Sequence, residues 1–216
     1  MTIDLIQRGD EWFEERLGSV GGSEIYDATA KLKSGGYSSK RKDLKVKKVL
    51  ERIIRKQIGK PASGFSLQRG VDGEATARDA AAFVLGVKIR EVGLFKHNRL
   101  IGAHSSPDGV IDGTNVAIEI KVPTSQTHYE TLISDEVPEQ YYAQCQWHMA
   151  CGGFEAVQYI SHDDRFPHAA QLFIKRIERD NDCIARLEEE AEKFIEEVNS
   201  AEAEFRARFM KGEING

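Results

Sequence analysis

The sequence predicts an α/β (α+β) fold: a central mixed β-sheet flanked by helices and followed by a long C-terminal helix. Three observations carry that expectation. Helical periodicity fills the chain up to Leu85 and returns from Asp180 onward, alternating apolar and polar residues occupy 87–122, and one helical segment, 138–151, separates those strands from two more.

In chain order, residues 10–17 read as a short helix stopped at Gly18, and Gly21-Gly22-Ser23-Glu24 reads as a loop entering a second helix with Ser23 as N-cap. Residues 34–39, rich in Gly and Ser, form a loop. A long helix is expected to follow as far as Ile58, burying Leu44, Val49, Leu50, Ile53 and Ile54 and exposing its lysines. Residues 66–85 are helical. Strands follow at 87–95, 100–111 and 115–122, then the 138–151 helix with proline in its first turn, strands at 154–162 and 169–177, and a last helix at 180–209. In that helix Ile184, Leu187, Ala191, Phe194, Val198, Ala201 and Phe205 alternate steps of three and four, a stripe expected to pack on its own domain rather than in an intermolecular coil. We read the chain as one domain: N-terminal helices to residue 60, a core at 61–178 and the helix at 179–216.

Composition narrows the function classes. Forty per cent apolar and 30% charged residues suit a soluble globular protein, and no apolar run approaches a membrane span. The first ten residues lack a basic region followed by an apolar one, so a cytoplasmic location is expected. Cys145, Cys151 and Cys183 make no CxxC pair, which argues against an iron-sulfur or structural zinc site. The net charge of -5 is unevenly spread: residues 31–60 hold twelve Lys or Arg against Asp43 and Glu51, whereas 178–204 hold eleven acidic residues against three basic ones. The basic stretch suits phosphate contacts; the acidic one has no evident counterpart.

The chemistry concentrates in a hairpin. With a two-residue loop at Gly113-Thr114, Gly first as a type II′ turn prefers, paired positions sum to 227 and Asp108 faces Glu119. With the loop at Asp112-Gly113 the carboxylates become diagonal neighbours on the same face. Lys121 shares that face in either register, while Val116, Ile118, Ile120 and Val122 point to the other as core, leaving one side for chemistry and one for packing. Opposed carboxylates repel unless a cation lies between them, and Mg²⁺, which takes one or two carboxylates plus waters and phosphate oxygens, is the natural candidate. Lys121 would steer or deprotonate an attacking water. Glu74 is a further candidate carboxylate. Gln140, Gln144 and His148 share a helix face, on which Gln144 could orient water and His148 reads as structural.

With these residues assembled, the chain resembles the phage λ exonuclease family, the YqaJ-type viral recombinases or alkaline exonucleases within the PD-(D/E)XK nuclease superfamily. The resemblance rests on Gly9-Asp10-Glu11-Trp12 through Arg16-Leu17-Gly18 to Ser23-Glu24, then Gly73-Glu74, Ser106-Pro107-Asp108-Gly109, Glu119-Ile120-Lys121 and Ala143-Gln144-Cys145-Gln146. It implies a restriction-endonuclease-like core and Mg²⁺-dependent 5′→3′ digestion of one strand of linear duplex DNA, giving 5′-mononucleotides and a 3′ single-stranded tail. It also implies two metal ions, with Mn²⁺ able to substitute, a homotrimeric ring around DNA, a single-strand annealing partner and a phage or prophage origin. By the same resemblance, Asp108, Glu119 and the Ile120 carbonyl would ligate metal with Glu74 assisting a second ion, Lys121 and Gln144 would handle the water, and Trp12, Arg16 and Ser23 would hold the DNA end at its 5′-phosphate. Asn98 departs from the family pattern at a position that bears on the second metal. Two other readings fit the residues: a PD-(D/E)XK endonuclease of restriction or repair type, and a non-catalytic DNA-binding or assembly protein.

Overall fold

The computed structural model describes residues 2–3, 7, 9–32, 34–59 and 64–210. Strand β1 (Thr2–Ile3) precedes helix α1 (Asp10–Glu14); a 3-10 turn at Gly22–Glu24 leads into α2 (Ile25–Thr29), α3 (Ser39–Ile54) and α4 (Gly64–Leu85). Five short strands follow: β2 (Ile89–Arg90), β3 (Leu94–Lys96), β4 (His104–Ser105), β5 (Gly109–Ile111) and β6 (Val116–Lys121). The chain then runs through α5 (Ser125–Ser134), α6 (Glu139–Gly152), β7 (Ala156–His162), β8 (Leu172–Glu178) and α7 (Asn181–Phe209).

The main sheet has the order β2-β5-β6-β7-β8 and a smaller one the order β1-β3-β4. Within the main sheet β6 and β7 run parallel and the other pairs antiparallel, and α5 and α6 supply the crossover that a parallel pair requires. The mixed sheet and long last helix are those the sequence predicts. Two strand predictions need correction. Residues 87–95 divide into β2 and β3, which join different sheets, and 100–111 divides at Ser106-Pro107-Asp108 into β4 and β5. Proline brings no N–H to a ladder, so pairing stops there and Asp108 is left at the mouth of the sheet.

The hairpin register sums to 227, through Gly109↔Ile118 and Val110↔Ala117. Its turn is the second of the two loops considered, Asp112-Gly113, although the register is that expected of the first. Thr114 N–H donates to the Ile111 carbonyl at 3.2 Å, which makes Gly113, at φ 74°, the second central residue rather than the first.

Both faces of the sheet are covered. Ala77 and Ala81 of α4 pack on Ile111, Val116, Ile118, Ile120, Ala156 and Ile160. On the opposite face Ala117, Val157 and Tyr159 lie in a second core with Trp147 and Met149 of α6 and Ile184 to Val198 of α7. The face carrying Glu119 and Lys121 is therefore not given over to chemistry alone, as the alternation suggested: α6 roofs it and buries the carboxylate.

Helix α5 has no counterpart among the predicted elements. Its segment has no apolar stripe, since its buried residues are His128 and Thr131; it is started instead by Thr124, whose side chain accepts from the Thr127 N–H. Helix α3 ends earlier than expected, at an Arg55 in the left-handed conformation (φ 59°), and buries charge as well as Leu44: Arg41, Lys48 and Glu51 are inside, whereas Ile54 is exposed. Ser23 lies within the 3-10 turn, capped by Gly21, so it is not the N-cap the sequence suggested.

Candidate active site

Asp108 and Glu119 meet where β5 begins beside β6. The Asp108 N–H donates to the Ile118 carbonyl at 2.9 Å, and the Ile120 N–H donates to Asp108 Oδ2 at 2.7 Å, so the carboxylate replaces a missing strand partner. Glu119 is 1% exposed; one of its oxygens takes the Lys121 ammonium and the other lies 2.6 Å from His148 Nε2. The Lys121 Nζ also sits over the Tyr141 ring, 5.1 Å from its centroid.

The electrostatics separate the two carboxylates. Burial raises the Asp108 carboxyl well above its ordinary range, and the Glu119 charge adds to the rise. Burial would also raise Glu119, but Lys121 and His148 outweigh it and pull its pKa down to about 2. Burial alone would lower the pKa of the Lys121 ammonium, yet Glu119 and Asp108 lift it above that of an ordinary lysine. Lys121 is therefore a cation here, fit to steer a nucleophile or offset phosphate charge rather than to act as a free base.

The donor set suits a hard divalent cation. Two carboxylates contribute oxygens, the Ile120 carbonyl is the third predicted ligand, and a like-charged pair with one raised carboxyl is what a cation would relieve. Among the described residues no three His, Cys, Asp or Glu side chains converge into a closed cage. An open pair of this kind fits Mg²⁺, which keeps waters and borrows substrate oxygens, better than structural zinc. Glu74 is not in that pair: it binds Arg78 at 3.2 Å, and Arg78 in turn donates to the Asp108 carbonyl at 3.3 Å, so Glu74 borders the site through an arginine.

Gln144 is 7% exposed in α6, one turn before His148, while the bonds that hold Glu119 come from His148 and Lys121. His148, expected to be structural, is instead a direct partner of Glu119. Its i, i+4 spacing from Gln144 is the signal the sequence offers; what the sequence does not convey is that α6 lies across β6.

The residues expected to hold a DNA end lie beside this first cluster. The Trp12 Nε1–H donates to Ser106 Oγ at 3.1 Å, two residues before Asp108, and the Arg16 guanidinium stacks 3.9 Å above the Trp12 ring. Arg16 and His104 line a cavity of about 430 Å³ with Lys47, Lys48, Glu24 and Glu51. Gly18, at φ 64°, turns the chain there; its N–H donates to Glu51 and its carbonyl accepts from Arg52 Nε, fixing the end of this segment to α3. Ser23 is exposed next to Glu24, which Lys47 and Lys48 each hold at 2.9 Å. Burial opposes ionisation of Glu24, but the lysines prevail and bring its pKa to about 2.

The basic stretch proves to be largely paired. Arg41 and Lys45 meet Glu197, Arg52 meets Glu202, and Lys31 meets Glu190, all on α7. The acidic helix thus has a counterpart after all, and it is this stretch. Among the described residues Lys42, Arg55 and Lys56 keep exposed charges; Lys33 and Lys60 lie outside those residues.

A model of the YqaJ-like viral recombinase domain matches residues 11–155. Among solved structures, the chain is similar to an alkaline exonuclease (LHK-Exo) from Laribacter hongkongensis, with 33% identity, a TM-score of 0.84, and coverage of 94% of this chain and 99% of that one. The same protein in complex with dAMP gives a TM-score of 0.86 at the same identity and coverage. A phage related exonuclease from Haemophilus somnus 129PT, 12% identical, shares the fold, with a TM-score of 0.64 over 87% of this chain and 96% of that one. Comparison with curated proteins gives no match.

Proposed function

Because the chain belongs to the YqaJ-like viral recombinase family of nucleases, we propose that it is a Mg²⁺-dependent exonuclease that digests one strand of linear duplex DNA 5′→3′, releasing 5′-mononucleotides. The observation that carries this reading is the meeting of Asp108, Glu119 and Lys121 at one end of the sheet, beside a pocket built on Arg16. Asp108 and Glu119 would hold the divalent cation, which when bound supplies Lewis-acid charge to a phosphate and a more acidic water. Lys121 steers the nucleophile and offsets charge on the scissile phosphate, and Gln144, on the α6 face that carries His148, is placed to orient the water. Arg16, held flat on Trp12, offers a planar fork to the 5′-phosphate of the strand end, with Ser23 and Ser106 as hydroxyl donors. The 3′ single strand left behind would be the substrate of a strand-annealing partner, and the protein would work as a trimeric ring around the duplex.

Linear duplex carrying 5′-phosphates should be degraded in Mg²⁺, while covalently closed circles should survive under the same conditions. Equal attack on both would favour the endonuclease alternative, since an internal cutter has no use for an end pocket. For the ring, light scattering at working concentration should return about three times the 24.2 kDa chain mass; a monomer removes it.

A further inference from the structure

Glu119 is held from two sides, and the side away from Lys121 is one the nuclease reading does not use. His148 Nε2 lies 2.6 Å from Glu119 Oε2, and His148 Nδ1 is hydrogen-bonded to Ser105 Oγ. His148 is 1% exposed and Ser105 0%. An ionised carboxylate only accepts, so Nε2 carries the hydrogen; in the neutral imidazole Nδ1 then accepts the Ser105 O–H. The ring is fixed in one orientation, and with Lys121 on Oε1 the carboxylate cannot rotate.

We propose that His148 is a positioning residue for the metal-binding carboxylate, setting through its Nε2–H which lone pairs of Glu119 are presented to the cation. The inference rests on the reading of Asp108 and Glu119 as metal ligands. The same relay reaches the end pocket. Ser105 adjoins Ser106, which holds Trp12, and a Cβ built on Gly22 would lie 3.3 Å from His148 Cε1 and 3.4 Å from Ser105 Oγ. The 3-10 turn bearing Ser23 therefore packs directly on the pair that orients Glu119, so end pocket and metal carboxylate share one rigid support.

The test compares His148→Gln, whose amide can still donate, with His148→Leu, which fills similar space and cannot. Mn²⁺ binding is measured without DNA by calorimetry, and kcat and KM on linear duplex separately. His148→Leu should bind Mn²⁺ about 10–100-fold more weakly and lose kcat by a similar factor with KM for DNA unchanged, the usual cost of losing a group that orients a ligand. His148→Gln should recover to within about three-fold of the natural protein in both, a rescue that a purely space-filling role does not predict. Natural Mn²⁺ affinity in a folded His148→Leu overturns the proposal. Should that variant not fold, His148→Gln decides alone: a loss beyond about ten-fold, in protein that melts normally, overturns it. Failure of the natural protein to bind Mn²⁺ sinks the metal site itself, and this inference with it, a result distinct from equal binding by natural and Leu proteins.

Discussion

Replacing Lys121 by alanine should lower kcat by about 10²–10⁴-fold, the span observed when a charge-stabilising or proton-handling group is removed, while leaving duplex binding in Ca²⁺ within a few-fold. Two effects add. The ammonium that would face the scissile phosphate disappears, and Glu119 loses the partner on Oε1, leaving two buried carboxylates with only His148 between Glu119 and full repulsion by Asp108. Duplex affinity has other sources, Arg16 and the exposed Lys42, Arg55 and Lys56 among them, so binding should persist. Gel-shift assays in Ca²⁺ beside single-turnover cleavage in Mg²⁺ separate the two. Unchanged cleavage by Lys121→Ala would refute the site assignment, and loss of both together would point to misfolding instead. Arg176→Ala, which removes exposed salt bridges to Glu155 and Glu178 elsewhere on the surface, serves as a control expected to retain cleavage.

The hairpin that carries Asp108, Glu119 and Lys121 is legible in the sequence because strand geometry is local. Alternation assigns faces and a short connection confines register, so these two rules alone bring Asp108, Glu119 and Lys121 together, even though the turn is that of one expected loop and the register that of the other. The strand breaks at Val92-Gly93 and Pro107 are less legible. Pro107 carries a signal, a missing N–H, but the apolar runs on either side look continuous.

What depends on contacts distant in sequence is not legible. Nothing local to residues 31–60 says that their cations face α7, more than 130 residues later. Charge patterning alone makes the stretch a nucleic-acid arm, whereas packing makes Lys31, Arg41, Lys45 and Arg52 one half of an internal ionic seam. Such pairs desolvate only partly and stabilise modestly, so the seam sets the docking of α7 more than its strength. His148 illustrates the same limit from the other direction. Its helix face is as expected, and only the crossing of α6 over β6 turns a buried histidine into the partner of Glu119. Glu74 lies close enough for its charge to raise Asp108, and it also pairs with Arg78, one helical turn away, whose reach toward the Asp108 carbonyl no spacing rule conveys.

The metal-free protein should become more stable, not less, when Asp108, the proposed metal ligand, is replaced. Asp108→Asn in EDTA at neutral pH is expected to raise the melting temperature by about 2–4 °C, equivalent to ~1 kcal/mol for a chain of this size, while abolishing hydrolysis. The reason lies in the direction of the Asp108 shift. Burial, then the charge of Glu119, raises its native pKa above the ordinary 3.8. The native state therefore holds this proton more tightly than the unfolded chain does: the group costs nothing below pH 3.8, and stability falls as pH rises from there through the native pKa. Asparagine carries no charge to desolvate and still offers an oxygen to the Ile120 N–H, now accepted by Oδ2 at 2.7 Å. The advantage of the variant should accordingly vanish in acid below pH 3.8, where the natural residue is also neutral in both states. It should reverse in excess Mg²⁺, because a cation that binds only the folded protein stabilises it by RT ln(1 + c/Kd) at free Mg²⁺ concentration c, and Asp108→Asn weakens that binding. Scanning calorimetry of both proteins, with EDTA and with Mg²⁺, reads all three limbs. A lower melting temperature for the variant in EDTA would mean that Asp108 is stabilised by its neighbours rather than strained against Glu119, and the site would then not be one held ready for a cation.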